Sequence, residues 1–405
     1  MKPFKIITYI LVFLCFKSCI EPVDFSTVSF DANLVVQARI TNELKNHTIE
    51  LSRTIPIDSV NLSPEKNATV FITDNSGITY NFQETSDGIY TSTIAFSAEA
   101  DKSYKLNIET SNGQKYSSIE EKLPQTSTIA EITTVIEQNE IDDIQELVIK
   151  VNSNLSSDNG KYYSYEYDET YEVKTAIWSR KKLLIISASP PYEFELVDKT
   201  EEEDGIGFCY PTNSSNEILL TETLTLGQDQ VLGFPIRKIP LSSYIIGRRY
   251  SILVRQYVLN QNTFDFYTLL NKFSNPDDIF SQTQVGNIPS NITSDINPNE
   301  DYVIGFFEVS SVSTKRIFFN RSSVTETIFQ NYAPLALCGE RENPEIVDAF
   351  GRSPLLNLLL GGGWIYQSPP DVAIPPPNKL YELAPRVCGD CTHLGPVSQP
   401  DFWIE

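Results

Sequence analysis

One pattern repeats between Leu34 and Gln125: a short run in which apolar and polar residues alternate, followed by a turn signal. Alternation with a period of two places the apolar side chains on one face of a strand, as a half-buried antiparallel sheet requires. Seven such runs occur, with turns at Asp87-Gly88 and Asn112-Gly113 among them. Seven short strands in about 95 residues is the spacing of an immunoglobulin-like or transthyretin-like sandwich. Because no cysteine pair lies within this stretch, an antibody-type domain is not expected.

The remainder of the chain is less regular but also rich in strand patterns. Residues 124–127, Pro-Gln-Thr-Ser, read as a linker. Only Thr263–Lys272 has a convincing helical pattern, with Asn262 as its expected N-cap. We therefore predict an all-β protein, with a sandwich domain at 31–125 and a larger β-rich domain at 126–405 that holds one or a few short helices.

The N-terminal residues have the form of an export signal. Lys2 and Lys5 precede the apolar run Ile6–Phe16, and Ser18 precedes Cys19. The run is shorter than the about 20 residues that a membrane-spanning helix needs. The segment resembles a lipoprotein signal peptide (1–18) with Cys19 as the lipidated residue and 19–30 as a tether. Cys15 is a competing acceptor, and an ordinary secreted protein or an uncleaved anchor are the other interpretations.

The charge balance restricts the partners. The chain has 31 Lys and Arg against 53 Asp and Glu, a net charge of −22. This sign disfavours binding to nucleic acid phosphates. Cleavage of the signal would remove three lysines and leave 28 basic residues. Because anionic lipid repels such a surface, we expect attachment to the membrane through acyl chains.

No catalytic motif stands out. There is no G-x-S-x-G, Walker A, G-x-G-x-x-G or H-E-x-x-H sequence, and the only histidines are His47 and His393. The acidic residues offer many carboxylate pairs for glycoside hydrolysis, among which the sequence does not choose. The run Glu201–Asp204 reads as a solvated charge run rather than a calcium loop. We expect no cofactor and no metal.

Four cysteines remain after the signal segment: Cys209, Cys338, Cys388 and Cys391. In an exported chain an even number favours two disulfides, with three possible connectivities. Cys388 and Cys391 also form a CxxC sequence, which leaves a redox pair or half of a zinc site as alternatives.

A tyrosine-rich strand is the one candidate for a ligand platform. At period two, one face of Lys161–Val173 carries Tyr163, Tyr165, Tyr167 and Tyr171, and acidic residues lie on the other. The favoured interpretation is an aromatic core face, and the alternative is a platform for carbohydrate or peptide. Asp58-Ser59-Val60 separately resembles a three-residue O-glycosylation sequence of exported Bacteroidota proteins.

Several segments together resemble one family. They are Ser18–Pro22, Leu34–Val36, Ile49–Thr54, Asp87–Tyr90, Cys209-Tyr210, Gly286–Ile288, Gly305–Phe307, Lys315–Phe318, Cys388–Thr392 and Pro400–Trp403. Their order and spacing are similar to the Bacteroidota lipoproteins of the domain-of-unknown-function 4249 family. The resemblance implies a lipoprotein encoded beside a TonB-dependent outer-membrane receptor, and it carries over no catalytic residue.

From this resemblance we expect a lipid-anchored protein on the periplasmic or outer side of the outer membrane. Its expected function is that of an accessory binding or scaffolding component of a TonB-dependent uptake system. The alternatives are a carboxylate-dependent hydrolase of surface polysaccharide and an adhesion or structural protein of the cell envelope.

Overall fold

The computed structural model describes residues 32–55, 63–155, 161–200, 207–274, 289–298, 301–326, 338–369 and 377–404. Strands account for nearly half of these residues and helices for far fewer, so the prediction of an all-β, sandwich-like fold is confirmed. Within these ranges no helix is long and apolar enough to cross a membrane.

Nine strands follow one another in the first part of the chain. They are β1 (Leu34–Thr41), β2 (Thr48–Arg53), β3 (Ser63–Pro64), β4 (Thr69–Asp74), β5 (Thr79–Ser86), β6 (Ile89–Ser92), β7 (Ser103–Glu109), β8 (Lys115–Ser118) and β9 (Glu121–Lys122). All pairings among them are antiparallel. The seven predicted runs correspond to β1, β2 and β4 to β8, and the two-residue strands β3 and β9 have no such pattern.

The alternation of β1 shows how the sequence specifies the first core. Leu34, Val36, Ala38 and Ile40 are buried together with apolar residues of β2, β4, β7 and β8. Burying one such aliphatic side chain contributes roughly 1.5–3 kcal/mol. The intervening residues of β1 face the opposite side of the sheet, where the groove described below lies.

The second part of the chain contributes fifteen further strands and four α-helices among the described residues. The strands are β10 (Ile129–Asn139), β11 (Ile144–Ser153), β12 (Tyr162–Tyr171), β13 (Val173–Lys174), β14 (Lys181–Ser187), β15 (Glu193–Asp198), β16 (Phe208–Cys209), β17 (Thr212–Ser214), β18 (Leu219–Glu222), β19 (Phe234–Pro240), β20 (Arg249–Leu259), β21 (Ile292–Ser294), β22 (Val303–Asn320), β23 (Trp364–Ser368) and β24 (Glu382–Pro385). The helices are α1 (Gln261–Ser274), α2 (Arg321–Val324), α3 (Pro354–Leu360) and α4 (Arg386–Gly389), with a 3₁₀ helix at Tyr244–Ile246.

A second core lies between two sheets. The strands β12, β20 and β22 pair side by side in antiparallel order, and β10, β11 and β19 form a separate three-stranded sheet. Apolar residues of the two sheets pack against one another, so these sheets form a second sandwich-like unit.

Strand β22 belongs to both parts of the molecule. Its first half pairs in parallel with β1, from Leu34 opposite Val303 to Thr41 opposite Ser310, and its second half pairs with β20. Strand β21 pairs with β8. Phe307 and Val309 of β22 are buried in the first core. Strands from beyond the predicted boundary at residue 125 therefore complete the core of the first predicted domain.

The parallel pairing depends on Gly305. This residue has a φ of +122°, which L side chains rarely adopt. A Cβ atom built on it would lie 1.9 Å from the carbonyl oxygen of Val36. Only glycine therefore allows β1 and β22 to approach this closely.

Two disulfides hold the C-terminal residues, and the prediction of two disulfides is confirmed. Cys209 bonds to Cys391, and Cys338 bonds to Cys388. The two cysteines of the CxxC sequence thus bond to different partners rather than to each other. A smaller cluster of apolar residues joins α3, β23 and β24 to the hairpin of β14 and β15.

Helix α1 begins at Gln261 and therefore includes the predicted N-cap, Asn262, in its first turn. The residue that precedes the helix is Asn260. Its carbonyl oxygen accepts a hydrogen bond from the amide of Phe264, while its side chain donates to Glu121 Oε2 at 3.0 Å. The N-cap prediction was wrong by two residues, because asparagine occurs at both positions and the local pattern does not choose between them.

Candidate binding groove

A groove of 640 Å³ lies on the face of β1, β2 and β22 that points away from the first core. Helix α1 and residues from the connection between β17 and β18 form its walls. Cavities of about 300–1,000 Å³ are typical of sites for small molecules.

The strand alternation determines which side chains form the floor. Val35, Gln37 and Arg39 are the residues of β1 that point away from the core. Thr48 and Glu50 of β2 lie beside them in the same way. The remaining lining residues on β22 and α1 are mainly apolar: Ile304, Phe306, Phe266 and Leu270, with Tyr267 between the last two.

Arg39 is the centre of a charge network at one end of the groove, in which Glu308 is buried while Arg39 and Glu166 are partly exposed. Its Nη1 donates to Oε1 of Glu166 at 2.6 Å, and its Nε lies 2.9 Å from Oε1 of Glu308. The hydroxyl of Tyr267 donates to the other oxygen of Glu308 at 2.9 Å, and the hydroxyl of Tyr257 donates to Glu166 at 3.1 Å. The guanidinium carbon lies 4.3 Å from the ring centre of Tyr257, within the range of a cation–π contact.

These neighbours keep the guanidinium charged. Burial acts to lower the pKa of Arg39, but the charge of Glu308 and then the nearby Tyr267 and Glu166 outweigh it, so the pKa lies well above its ordinary value. Burial, followed by the charge of Glu308, raises the pKa of Tyr267. At neutral pH the guanidinium of Arg39 is therefore charged and the phenol of Tyr267 is protonated. Glu308 is only 1% exposed, and its ion pair with Arg39 compensates for the removal of its carboxylate from water.

The network joins distant parts of the chain. Arg39 comes from β1, Glu166 from β12, Tyr257 from β20, Tyr267 from α1 and Glu308 from β22. The network therefore fixes the position of the groove relative to both cores. A site held in this way presents a rigid surface to a ligand.

The four tyrosines proposed as a ligand platform lie elsewhere. Tyr163, Tyr165, Tyr167 and Tyr171 are buried in the second core. The hydroxyl of Tyr163 donates to Asp229 at 2.8 Å, and that of Tyr165 donates to Gln256 at 3.1 Å. Burial raises the pKa of both phenols. A platform needs an exposed ring face, and these rings are covered because their face of β12 packs against β11 and β19.

Other predicted sites lie outside the described residues. These are the lipidation residue Cys19 with its competitor Cys15, the tether, the sequence Asp58-Ser59-Val60 and the acidic run Glu201–Asp204. Among the residues that the structure describes, no group of three or more His, Cys, Asp or Glu could hold a metal ion. His47 and His393 are far apart in the chain, and each binds a backbone carbonyl, of Phe96 and Asp390 respectively.

Sequence reasoning missed the residues of the network. Arg39 and Glu166 occupy the polar positions of alternating strands, where a charged residue ordinarily faces water. Glu308 did carry a signal, because it is the one charged residue in the apolar run Val303–Val309. A carboxylate in such a run needs a buried partner, but the sequence does not say which of 31 basic residues supplies it.

His47 predicts a dependence of stability on pH. Burial lowers the pKa of His47 to about 4, although its Nε2–H donates to Phe96 at 3.0 Å. Between about pH 6.5 and pH 4, His47 therefore binds a proton more readily in the unfolded chain than in the folded protein. The stabilisation from neutral His47 is complete above pH 6.5, and up to about 3 kcal/mol is lost as the pH falls to 4.

Urea unfolding at pH 7 and pH 4.5 measures this loss. The variant His47→Gln keeps an amide donor for Phe96 and does not titrate, so its stability should fall less over the same interval. Equal losses in the two proteins would show that His47 does not contribute.

A family model described as Domain of unknown function (DUF4249) matches residues 20–316. No curated protein matches the chain. The matched region includes every residue that lines the groove, whereas Cys338, Cys388 and Cys391 lie beyond it.

Proposed function

The chain belongs to the domain-of-unknown-function 4249 family, and from this we propose that it is a lipid-anchored binding protein of the outer membrane. In this proposal it holds a ligand in its groove and works as an accessory component of a TonB-dependent uptake system. The groove is the observation that carries the proposal.

The shape and lining of the groove support binding. Its volume of 640 Å³ suits a small molecule or a short segment of a polymer, and its lining combines apolar walls with a few polar groups. Polar groups such as Gln37, Thr48 and Asn216 can orient a ligand, while Leu270 and Ile304 remove its apolar surface from water.

The disulfides and the N-terminal sequence support export. Two disulfides are usual in oxidising compartments outside the cytoplasm and rare within it. A lipid on Cys19 would hold the protein at the membrane and raise its effective concentration beside a receptor.

The two carboxylates beside Arg39, at one end of the groove, favour binding over hydrolysis. A glycosidase needs two carboxyl groups that are free to act on the bond between them. Here Glu166 and Glu308 are both paired with Arg39, at 2.6 and 2.9 Å. We therefore place the hydrolase second and make it one outcome of the test.

The test uses native outer membranes and three forms of the full chain: wild type, Gln37→Trp and Ile141→Trp. Gln37 is exposed on the groove floor, so tryptophan there would fill the groove. Ile141 is 93% exposed in the turn between β10 and β11, and Ile141→Trp is the matched control. Mass spectrometry would identify the N-terminal peptide, the co-purified proteins and any small molecules released on denaturation.

We expect a diacylated Cys19, a TonB-dependent receptor among the partners, and a released ligand that is lost in Gln37→Trp and kept in Ile141→Trp. An unmodified N-terminus on a freely soluble protein would refute the anchored function. Cleavage of surface polysaccharide that is lost in Glu166→Gln would favour the hydrolase instead.

A further inference from the structure

We infer that the groove selects a ligand that joins a primary ammonium or guanidinium group to an apolar body. This inference rests on the proposed function, since it names the chemistry of the ligand for the same groove. It depends on an excess of carboxylates, on a buried hydroxyl without a partner, and on the apolar walls.

The lining carries more carboxylates than it needs for its own arginine. Among the described residues that line the groove, Arg39 is the only basic one, and it is already paired with Glu166 and Glu308. Glu50 on the floor and Glu217 beside the adjoining hollow are both exposed, and within the described part of the chain neither forms an ion pair. Two negative charges are therefore left to attract a cation.

A smaller hollow of 70 Å³ opens beside Arg39 and contains an unused hydrogen-bonding group. Ser164 lines it and is 8% exposed, and its Oγ has no hydrogen-bond partner among the described residues. A buried hydroxyl without a partner is unfavourable, because it has lost its hydrogen bonds to water. Glu166 and Glu217 line the same hollow, so a small donor placed there would meet three acceptors.

The size of the hollow agrees with such a group. Water occupies about 30 Å³ in the liquid, so a space of 70 Å³ accommodates one ammonium-sized group. The apolar residues Leu270, Ile304 and Ile218 lie in the larger groove next to it. A ligand can therefore place its charged end in the hollow and its apolar body along the wall.

An anionic ligand fits the site less well. It would have to compete with Glu166 and Glu308 for Arg39 and leave one of these carboxylates without its cation. An unpaired charge at Glu308, which is 1% exposed, is strongly unfavourable. The distribution of charge thus disfavours carboxylate and phosphate ligands.

Three probes of equal length test the preference: n-hexylamine, 1-hexanol and hexanoate. Ligand-observed NMR would measure their affinities for the full chain at low and high salt. We expect hexylamine to bind about tenfold more tightly than hexanol, because charge-assisted hydrogen bonds are about twice as strong as neutral ones. Hexanoate should bind least, and added salt should weaken the binding of the amine.

The double variant Glu50→Gln/Glu217→Gln keeps the shape of the groove and removes its two unpaired charges. It should reduce the preference for the amine about three- to tenfold. Glu131→Gln is the matched control, because Glu131 is exposed on β10 outside the groove, and it should not change the preference.

Several results would overturn the inference: no binding of hexylamine, equal binding of hexanol or hexanoate, or an unchanged affinity for hexylamine in Gln37→Trp. If Gln37→Trp loses the native ligand while the probes show no preference for a cation, the proposed function stands and this inference fails. If Gln37→Trp keeps the native ligand, the proposed function is refuted, and this inference, which rests on it, is refuted as well.

Discussion

Gly305→Ala should prevent the first core from forming, and we expect it to lower the free energy of unfolding by at least about 4 kcal/mol. Two costs combine at this residue. A non-glycine residue at a φ of +122° carries strain of about 1–3 kcal/mol. In addition, the new Cβ would lie 1.9 Å from the carbonyl oxygen of Val36, which belongs to the backbone and cannot rotate away. Strands β1 and β22 would have to separate.

The measurement is urea unfolding together with the yield of folded protein. Gly113→Ala is the matched control, because Gly113 has a φ of +83° but a Cβ atom added there would meet no described atom within 4 Å. It should cost only the conformational strain, about 1–3 kcal/mol. If Gly305→Ala and Gly113→Ala lose equal stability, the close approach of β1 and β22 is not the reason that residue 305 must be glycine.

Loss of the disulfide between Cys209 and Cys391 should have the other large effect. The bond joins residues 182 apart in the sequence. On the chain-entropy model, closing a loop of this length stabilises the folded state by about 5 kcal/mol. Both cysteines are buried, so the variant Cys209→Ala/Cys391→Ala avoids placing a polar group in the core.

Urea unfolding of the double variant measures the loss. The bond between Cys338 and Cys388 spans 50 residues, and Cys338→Ala/Cys388→Ala should therefore cost about 1 kcal/mol less. If the short-loop variant loses as much stability as the long-loop variant, strain or local packing dominates over loop length. If neither variant loses stability, the disulfides do not hold the fold.

The sequence predicted the strands of the first part well because their signal is local. Alternation in runs such as Leu34–Ile40 determines the buried face without reference to the rest of the chain. The same reasoning identified the tyrosines of β12 as a core face in its favoured interpretation. It also gave the number of disulfides.

What the sequence could not supply were contacts between distant residues. Nothing local indicates that Leu34 pairs with Val303, or that Cys209 bonds to Cys391 rather than to Cys338. The groove has the same origin, since Arg39 becomes a site residue only when four other elements bring their side chains to it. The sequence of a strand does not show which residue will form an ion pair with its charged side chain, because that depends on how the strands are arranged.

The parallel pair of β1 and β22 also determines an order of events under the proposed export. A polypeptide that crosses a membrane from its N-terminus delivers the residues of β1 early and those of β22 late. Pairing of strands so far apart in the sequence is slow. Until it occurs, the exposed edge of β1 can pair with other chains and aggregate. Under the proposed export, β1 would thus lack its β22 partner until the final third of the chain has crossed, and we expect a chaperone to protect it during that interval.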